Sequence, residues 1–309
     1  MGLFKKRSVE PEQPDDALTV LTASEANEFR SLVRVAFAEL GLEVVIHPDH
    51  AVDDTGRQFG FWNIATQCAD ERRPEWRRLI REHVRRVVAS LDAPDPFEGI
   101  DRDEAASRTF ARLYPDDALP SLEDYPHSQF APGIVEMLAL DLPETVAVFN
   151  RENAARLGNW ESIRAHGVAN LAALPAERLE TLDGPGGGRF TALLGDSVYT
   201  GSRALLLPGL ATQLTGEDVS DFGWLMSVPN RHQVVWHMIR DSSVITALNG
   251  MAHFTVMGFS DSPGPVSPHV YWWDGSGYEQ LTRIDGTGAI AIHAGPAFTD
   301  VLNTLMADE

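Results

Sequence analysis

The sequence predicts an α+β protein: a small N-terminal α-β-β-β-α unit followed by a larger layer of strand pairs alternating with helices. Three observations predict it. Two early segments carry apolar residues at i, i+3, i+4; the short β-rich runs between them are punctuated by turn residues; and the rest of the chain repeats two-residue alternation in pairs, with a helical stretch between pairs. That rhythm disfavours a doubly wound parallel sheet, which needs single strands alternating with helices.

Taken in order, residues 1–16 read as a disordered tail, with Lys5, Lys6 and Arg7 beside Leu3 and Phe4 and then proline and acids. Gly2 resembles a myristoylation start, but position six is Lys6 where Ser or Thr is required. Phe29, Leu32, Val33, Ala36, Phe37 and Leu40 form one helical stripe, with Thr22 and Glu25 spaced as a capping box and Gly41 closing the helix. Strands follow at Leu42–Ile46, Ala51–Val52 and Gln58–Ile64, the last two separated by Asp53, Asp54, Thr55 and Gly56. A second helix buries Trp76, Leu79, Ile80, Val84, Val87, Val88 and Leu91, with Pro74 in its first turn, and completes a unit over 17–92.

The run DAPDPFEGIDRD, Asp92–Asp103, is poor material for a packed element and reads as the boundary before an α+β domain over 104–309. Strands are expected near Thr109–Tyr114, Ile134–Leu140 and Thr145–Phe149. A helix over Arg151–Leu174 breaks at Gly158 and Asn159 and stops at Pro175. Strands Arg178–Leu182 and Arg189–Leu194 flank GPGGG, read as a flexible tip, and a helix is expected over Tyr199–Leu214. Strands Trp224–Val228 and Gln233–Met238 precede a helix over Ser242–Met257. A hairpin of Val270–Trp273 and Tyr278–Ile284 turns on Asp274–Gly277.

Of the 309 residues 43% are hydrophobic, enough for a large core without staples, and Cys68 is the single cysteine. No run approaches the roughly 20 apolar residues of a membrane span, so a cytoplasmic protein with no integral membrane segment is expected. The 45 acidic and 25 basic residues give a net charge of −20, which argues against nucleic acid as a partner. Lysine occurs only at Lys5 and Lys6. No motif calls for a cofactor.

The runs NWESIRAHGVANLAALP from Asn159, GDSVYTGSRALLL from Gly195 and WLMSVPNRHQVVWHMIRD from Trp224 resemble, in order and spacing, the YtpQ-like family of uncharacterised bacterial proteins. The positions carrying the resemblance are Asn159, Trp160, Asn170, Leu171, Leu174, Pro175, Asp196, Tyr199, Ser202, Arg203, Ser227, Val228 and Pro229. It covers residues 20 to 285, most closely 159–240, and implies a fold without a settled activity. The chain departs from the family in its acidity and in Asn230–Arg231–His232, where a shorter polar turn is usual.

Candidate sites divide in two. His47, Asp49, His50, Asp53 and Asp54 have the chemistry of divalent-ion ligands, but Pro48 and Gly56 mark a turn in which Asp serves the backbone, so no metal is expected. His232 and His237 lie on opposite faces of one predicted strand, and Asp241–Ser242 reads as a helix cap. The arginines at 72, 73, 77, 78, 81, 85 and 86 make a local basic face on the second helix, diluted by Glu71, Glu75 and Glu82. The ligand-binding candidates are Asp196, Tyr199, Ser202 and Arg203 at a helix entrance, and Ser227, Asn230, Arg231 and His232 at a strand turn. Both lie at ends of elements of one layer, so they are expected to meet, with Arg203 and Arg231 facing an unknown protein or a small anionic ligand. The function expected is a noncatalytic binding or regulatory module. A hydrolase-like enzyme with its site near Asp196/Ser197 and Ser227–His232 is the alternative, and whether the protein is an enzyme stays open.

Overall fold

The computed structural model describes residues 13–91, 95–119, 121–143, 146–184, 187–285 and 289–307, and the chain divides into two compact units, Met1–Pro94 and Asp95–Glu309. Both combine helices with antiparallel sheet, an α+β architecture.

In the first unit, α1 (Ala23–Ala38) opens with the expected capping box: Thr22 accepts from the Glu25 amide while the Glu25 carboxylate takes the Thr22 amide. Strands β1 (Val44–Ile46), β2 (His50–Asp53) and β3 (Gln58–Gly60) form an antiparallel meander, followed by α2 (Trp62–Ala69) and α3 (Arg73–Leu91). The third strand is therefore shorter than the run Gln58–Ile64 suggests. Ile64, Ala65 and Cys68 bury one side of a helix, a period that wins once the chain leaves the sheet at Phe61. The core joins Phe29, Val33 and Phe37 of α1 to Trp76, Ile80 and Val84 of α3. Most of the tail, including Lys5, Lys6 and Arg7, lies outside the described residues. Its end is packed, not disordered: Asp15 pairs with Arg30 at 2.6 Å, which holds its carboxyl at about 2.

In the second unit, Phe97 and Ile100, read from sequence as linker, are core residues, and Arg156 donates to both their carbonyls. The unexpected α4 (Arg102–Arg108), capped by Asp101, follows them. A four-stranded sheet comes next: β6 (Ile134–Asp141) pairs along its length with β4 (Thr109–Pro115), while β5 (His127–Ala131) and β7 (Val146–Val148) share its other side. Helices α5 (Arg151–Leu157) and α6 (Trp160–Ala173) break at Gly158 as expected, and Asn159 caps the second of them.

A six-stranded antiparallel sheet, ordered β13-β12-β10-β11-β9-β8, is built from β8 (Arg178–Asp183), β9 (Arg189–Leu194), β10 (Trp224–Ser227), β11 (Gln233–Met238), β12 (Val270–Trp273) and β13 (Tyr278–Gln280). Pairs β8–β9 and β10–β11 and the turn at Asp274 fall where expected. Two expectations are corrected. The helix over Tyr199–Leu214 is instead a 3-10 segment, Gly201–Leu206, then α7 (Gly209–Thr215), because Pro208 forces Leu207 into extended backbone. The last strand also divides at the buried Leu281: β14 (Thr282–Ile284) pairs with β15 (Ile290–Ile292), and a terminal helix α9 (Pro296–Ala307) follows.

One face of the six-stranded sheet packs Trp224, Met226, Trp236 and Tyr271 with Leu113 and Ile134 of the four-stranded sheet. The other packs Leu225, Val235 and Trp272 with α8 (Val244–Asp261) and α9. Gly188, taken from sequence as part of a flexible tip, sits against α8 so closely that a β-carbon would run into the Thr246 backbone; Pro185 and Gly186 lie outside the described residues.

Candidate functional site

The loop between β9 and the 3-10 segment and the turn between β10 and β11 come together backbone to backbone. Leu194 and Gln233 are register partners, the Gly195 amide donates to the His232 carbonyl at 3.1 Å, and the Gly201 amide to that of Arg231 at 2.9 Å. Arg203, two residues past Gly201, is thus within about 15 Å of Arg231 along Cα positions. The two sequence-predicted groups are neighbours.

Their side chains mostly serve the scaffold. Ser227 is fully buried on the α8 face, where its hydroxyl accepts from Thr255 at 2.8 Å. The Ser202 hydroxyl accepts from the Leu113 amide at 3.0 Å, fastening the edge of β4. Asn230, also fully buried, donates to the Gly258 carbonyl and accepts from the His232 amide. The Tyr199 phenol donates to Asp141 at 2.8 Å, and its ring stacks on Phe110 with centroids 4.2 Å apart. Arg203, only 3% exposed, donates to the Pro175 carbonyl at 3.1 Å, and its Nε has no hydrogen-bond partner. Burial lowers its pKa and the charge of Glu177 raises it.

Arg231, by contrast, feels the positive charge of Arg112 on β4. Arg203 and Arg231 share a neighbourhood, but Arg203 is buried against the Pro175 carbonyl while Arg231 stays part-exposed.

Asp196, Arg231 and His232 remain accessible. A cavity of about 320 Å³ opens beside Asp196 and His232, lined also by Glu177, Arg178, Gly195 and Gln233. Glu177, which sequence reasoning missed, accepts the amides of Asp196 at 2.6 Å and Ser197 at 3.1 Å; those two donors hold its pKa below the usual carboxylate range. His232 receives the Arg231 Nε–H on its Nε2 at 2.9 Å, which makes that nitrogen an acceptor and the ring neutral. Burial and the Arg231 charge push its pKa down, against the carbonyls of Gly195 and Ser197. The Ser197 hydroxyl accepts from the Tyr199 amide at 3.2 Å. Neither interaction joins Ser197 to His232 as nucleophile and base.

The remaining candidates resolve into local structure. His47 and His50 stack at 4.5 Å, and the His50 Nδ1 meets Asp49 at 2.7 Å. Although burial opposes it, Thr55 and Arg57 hold the Asp53 carboxyl at about 2. Among the described residues no three His, Cys, Asp or Glu are grouped to hold a metal. His232 lies in the turn before β11, not on the strand, while the His237 Nδ1 faces the Arg189 carbonyl, and Asp241 accepts the Ser243 amide near the start of α8. On α3, Arg73 pairs with Glu25 and Glu28, Arg78 with Glu75 and Glu82, and Arg81 with Glu39, so much of its basic face is neutralised within the unit. No described helix is long and apolar enough to cross a membrane.

No protein-family model, curated protein or solved structure matches this chain.

Proposed function

We propose that the protein is a YtpQ-like, noncatalytic binding module of the cytoplasm, taking an unidentified protein or small anionic ligand at the edge formed by Glu177, Asp196, Arg231 and His232. One observation carries this reading: His232 at the open cavity already accepts from Arg231, and Ser197, next in the chain to the lining Asp196, accepts from the Tyr199 amide, so neither is poised against the other and the edge is a rim of charged and polar groups. The resemblance fits a shared scaffold, since Tyr199, Ser202, Arg203, Ser227 and Val228 are core residues while the accessible Arg231 and His232 lie in the departing turn.

The test is an assay of purified protein against p-nitrophenyl acetate and p-nitrophenyl phosphate. Background rates, unchanged in Ser197→Ala, are expected. Turnover lost on Ser197→Ala overturns the reading in favour of the hydrolase-like alternative.

A further inference from the structure

On β4 the alternation Phe110, Arg112, Tyr114 sets one face of the strand toward Tyr199 and the β10–β11 turn. The Arg112 guanidinium lies 4.8 Å from the centroid of the Tyr114 ring and 5.8 Å from that of Tyr199, and its Nε is buried without a hydrogen-bond acceptor. Arg231 comes into the same neighbourhood through the backbone: its carbonyl accepts the Gly201 amide at 2.9 Å, and the next residue, Ser202, accepts the amide of Leu113, which lies between Arg112 and Tyr114. The Arg231 stem lies so close under Gly264 that a β-carbon there would collide with it, and its Nε is committed to His232.

The partners of these two half-buried guanidiniums are thus two aromatic rings, a phenol and a neutral imidazole. Among the described residues neither has a carboxylate within 4.0 Å, although Arg30, Arg57, Arg73, Arg78, Arg108 and Arg164 all do. The nearby carboxylates have other duties: Asp141 receives the Tyr199 phenol and Glu177 two backbone amides. Placing two like charges together with part of their hydration removed is unfavourable unless a counter-charge is supplied. A protein with a net charge of −20 had ample carboxylates for the purpose. Both forks are also held in place before anything binds, so little side-chain freedom is left to lose.

We propose that Arg112, Tyr114 and Arg231 form a binding site for a phosphate group, either the free ion or a phosphate monoester. A phosphate dianion balances two cations and offers enough oxygens to meet two guanidinium forks and a phenol together, whereas one carboxylate balances a single charge. The inference rests on the binding reading of the Arg231–His232 turn, extends it to the adjoining face of β4, and names its ligand class.

The test measures binding of inorganic phosphate, O-phosphoserine and acetate by calorimetry at low ionic strength, on the full chain and on the folded variants Arg112→Gln, Arg231→Gln and Tyr114→Phe. Expected are saturable binding of at least one phosphate compound, acetate at least tenfold weaker, and a loss of tenfold or more in each arginine variant. Tighter binding of phosphoserine identifies the monoester, and tighter binding of inorganic phosphate the free ion. Should an arginine variant fail to fold, Arg112→Lys or Arg231→Lys keeps the charge without the fork and still weakens binding. Absence of binding by either phosphate compound, acetate binding as tight as phosphate, or affinity unchanged in the folded arginine variants overturns the proposal. Ser197-dependent hydrolysis with phosphate binding intact defeats the noncatalytic reading alone; lost phosphate binding without hydrolysis defeats only this site.

Discussion

Gly201 and Arg231 are joined directly, the amide of the first donating to the carbonyl of the second at 2.9 Å, with no room for a side chain at residue 201. A β-carbon there would run into the Asn230 carbonyl oxygen. Gly201→Ala is therefore expected to cost about 1–3 kcal/mol, the range for forcing extra atoms into a packed site. Urea denaturation checks it, and a variant as stable as the parent would show that the two turns are not clamped.

Arg203 is a structural anchor, being 3% exposed and bonded to the Pro175 carbonyl. Arg203→Ala is expected to lose about 2–4 kcal/mol, as other large-to-small core changes do, and Arg203→Met to lose less because it keeps volume while removing a desolvated charge. Denaturation midpoints of the pair decide it. Equal stability of Arg203→Ala and the parent would place the side chain outside the core.

His232, His237 and His269 all have pKa values lowered by burial, so the fold favours their neutral forms. The unfolded chain takes up protons near pH 6.5, before the folded protein does. Their contribution is thus complete above about pH 6.5 and is lost as pH falls through the lower folded values. Unfolding free energy measured between pH 7.5 and 5 should decline, less steeply in His269→Gln; a flat or rising profile contradicts this.

A net charge of −20 and the internal pairing of Arg73, Arg78 and Arg81 leave little attraction for a polyanion. No mobility shift of duplex DNA or RNA is expected at physiological salt with micromolar protein. A clear shift there would contradict it.

Elements with local signals were legible in the sequence. The Thr22 capping box, the break at Gly158 and the turn at Asp274 depend on residues a few positions apart, and each falls where expected. The division after Leu206 was harder to read because an apolar run ending in Leu207–Pro208 fits a helical period until the proline is weighed. For the candidate site, sequence located the two turns but not the side-chain roles. Whether Ser227 faces α8, and which element Arg231 meets, is set by sheet register and by contacts remote in sequence. Arg112 and Tyr114 stand in plain two-residue alternation, which marks a face of a strand and says nothing of what covers it.

The position of β8 at the end of the six-stranded order has a consequence for behaviour at high concentration. Strand margins with unpaired backbone groups invite pairing with another chain, and natural proteins oppose this with charge. Along β8 the exposed Arg178 pairs with Glu180 at 3.1 Å, and Asp183 closes the strand beside Arg189 at 3.2 Å. A second copy approaching this margin would have to strip water from those ions before making its first backbone bond, which disfavours fibrous self-association through an otherwise open flank.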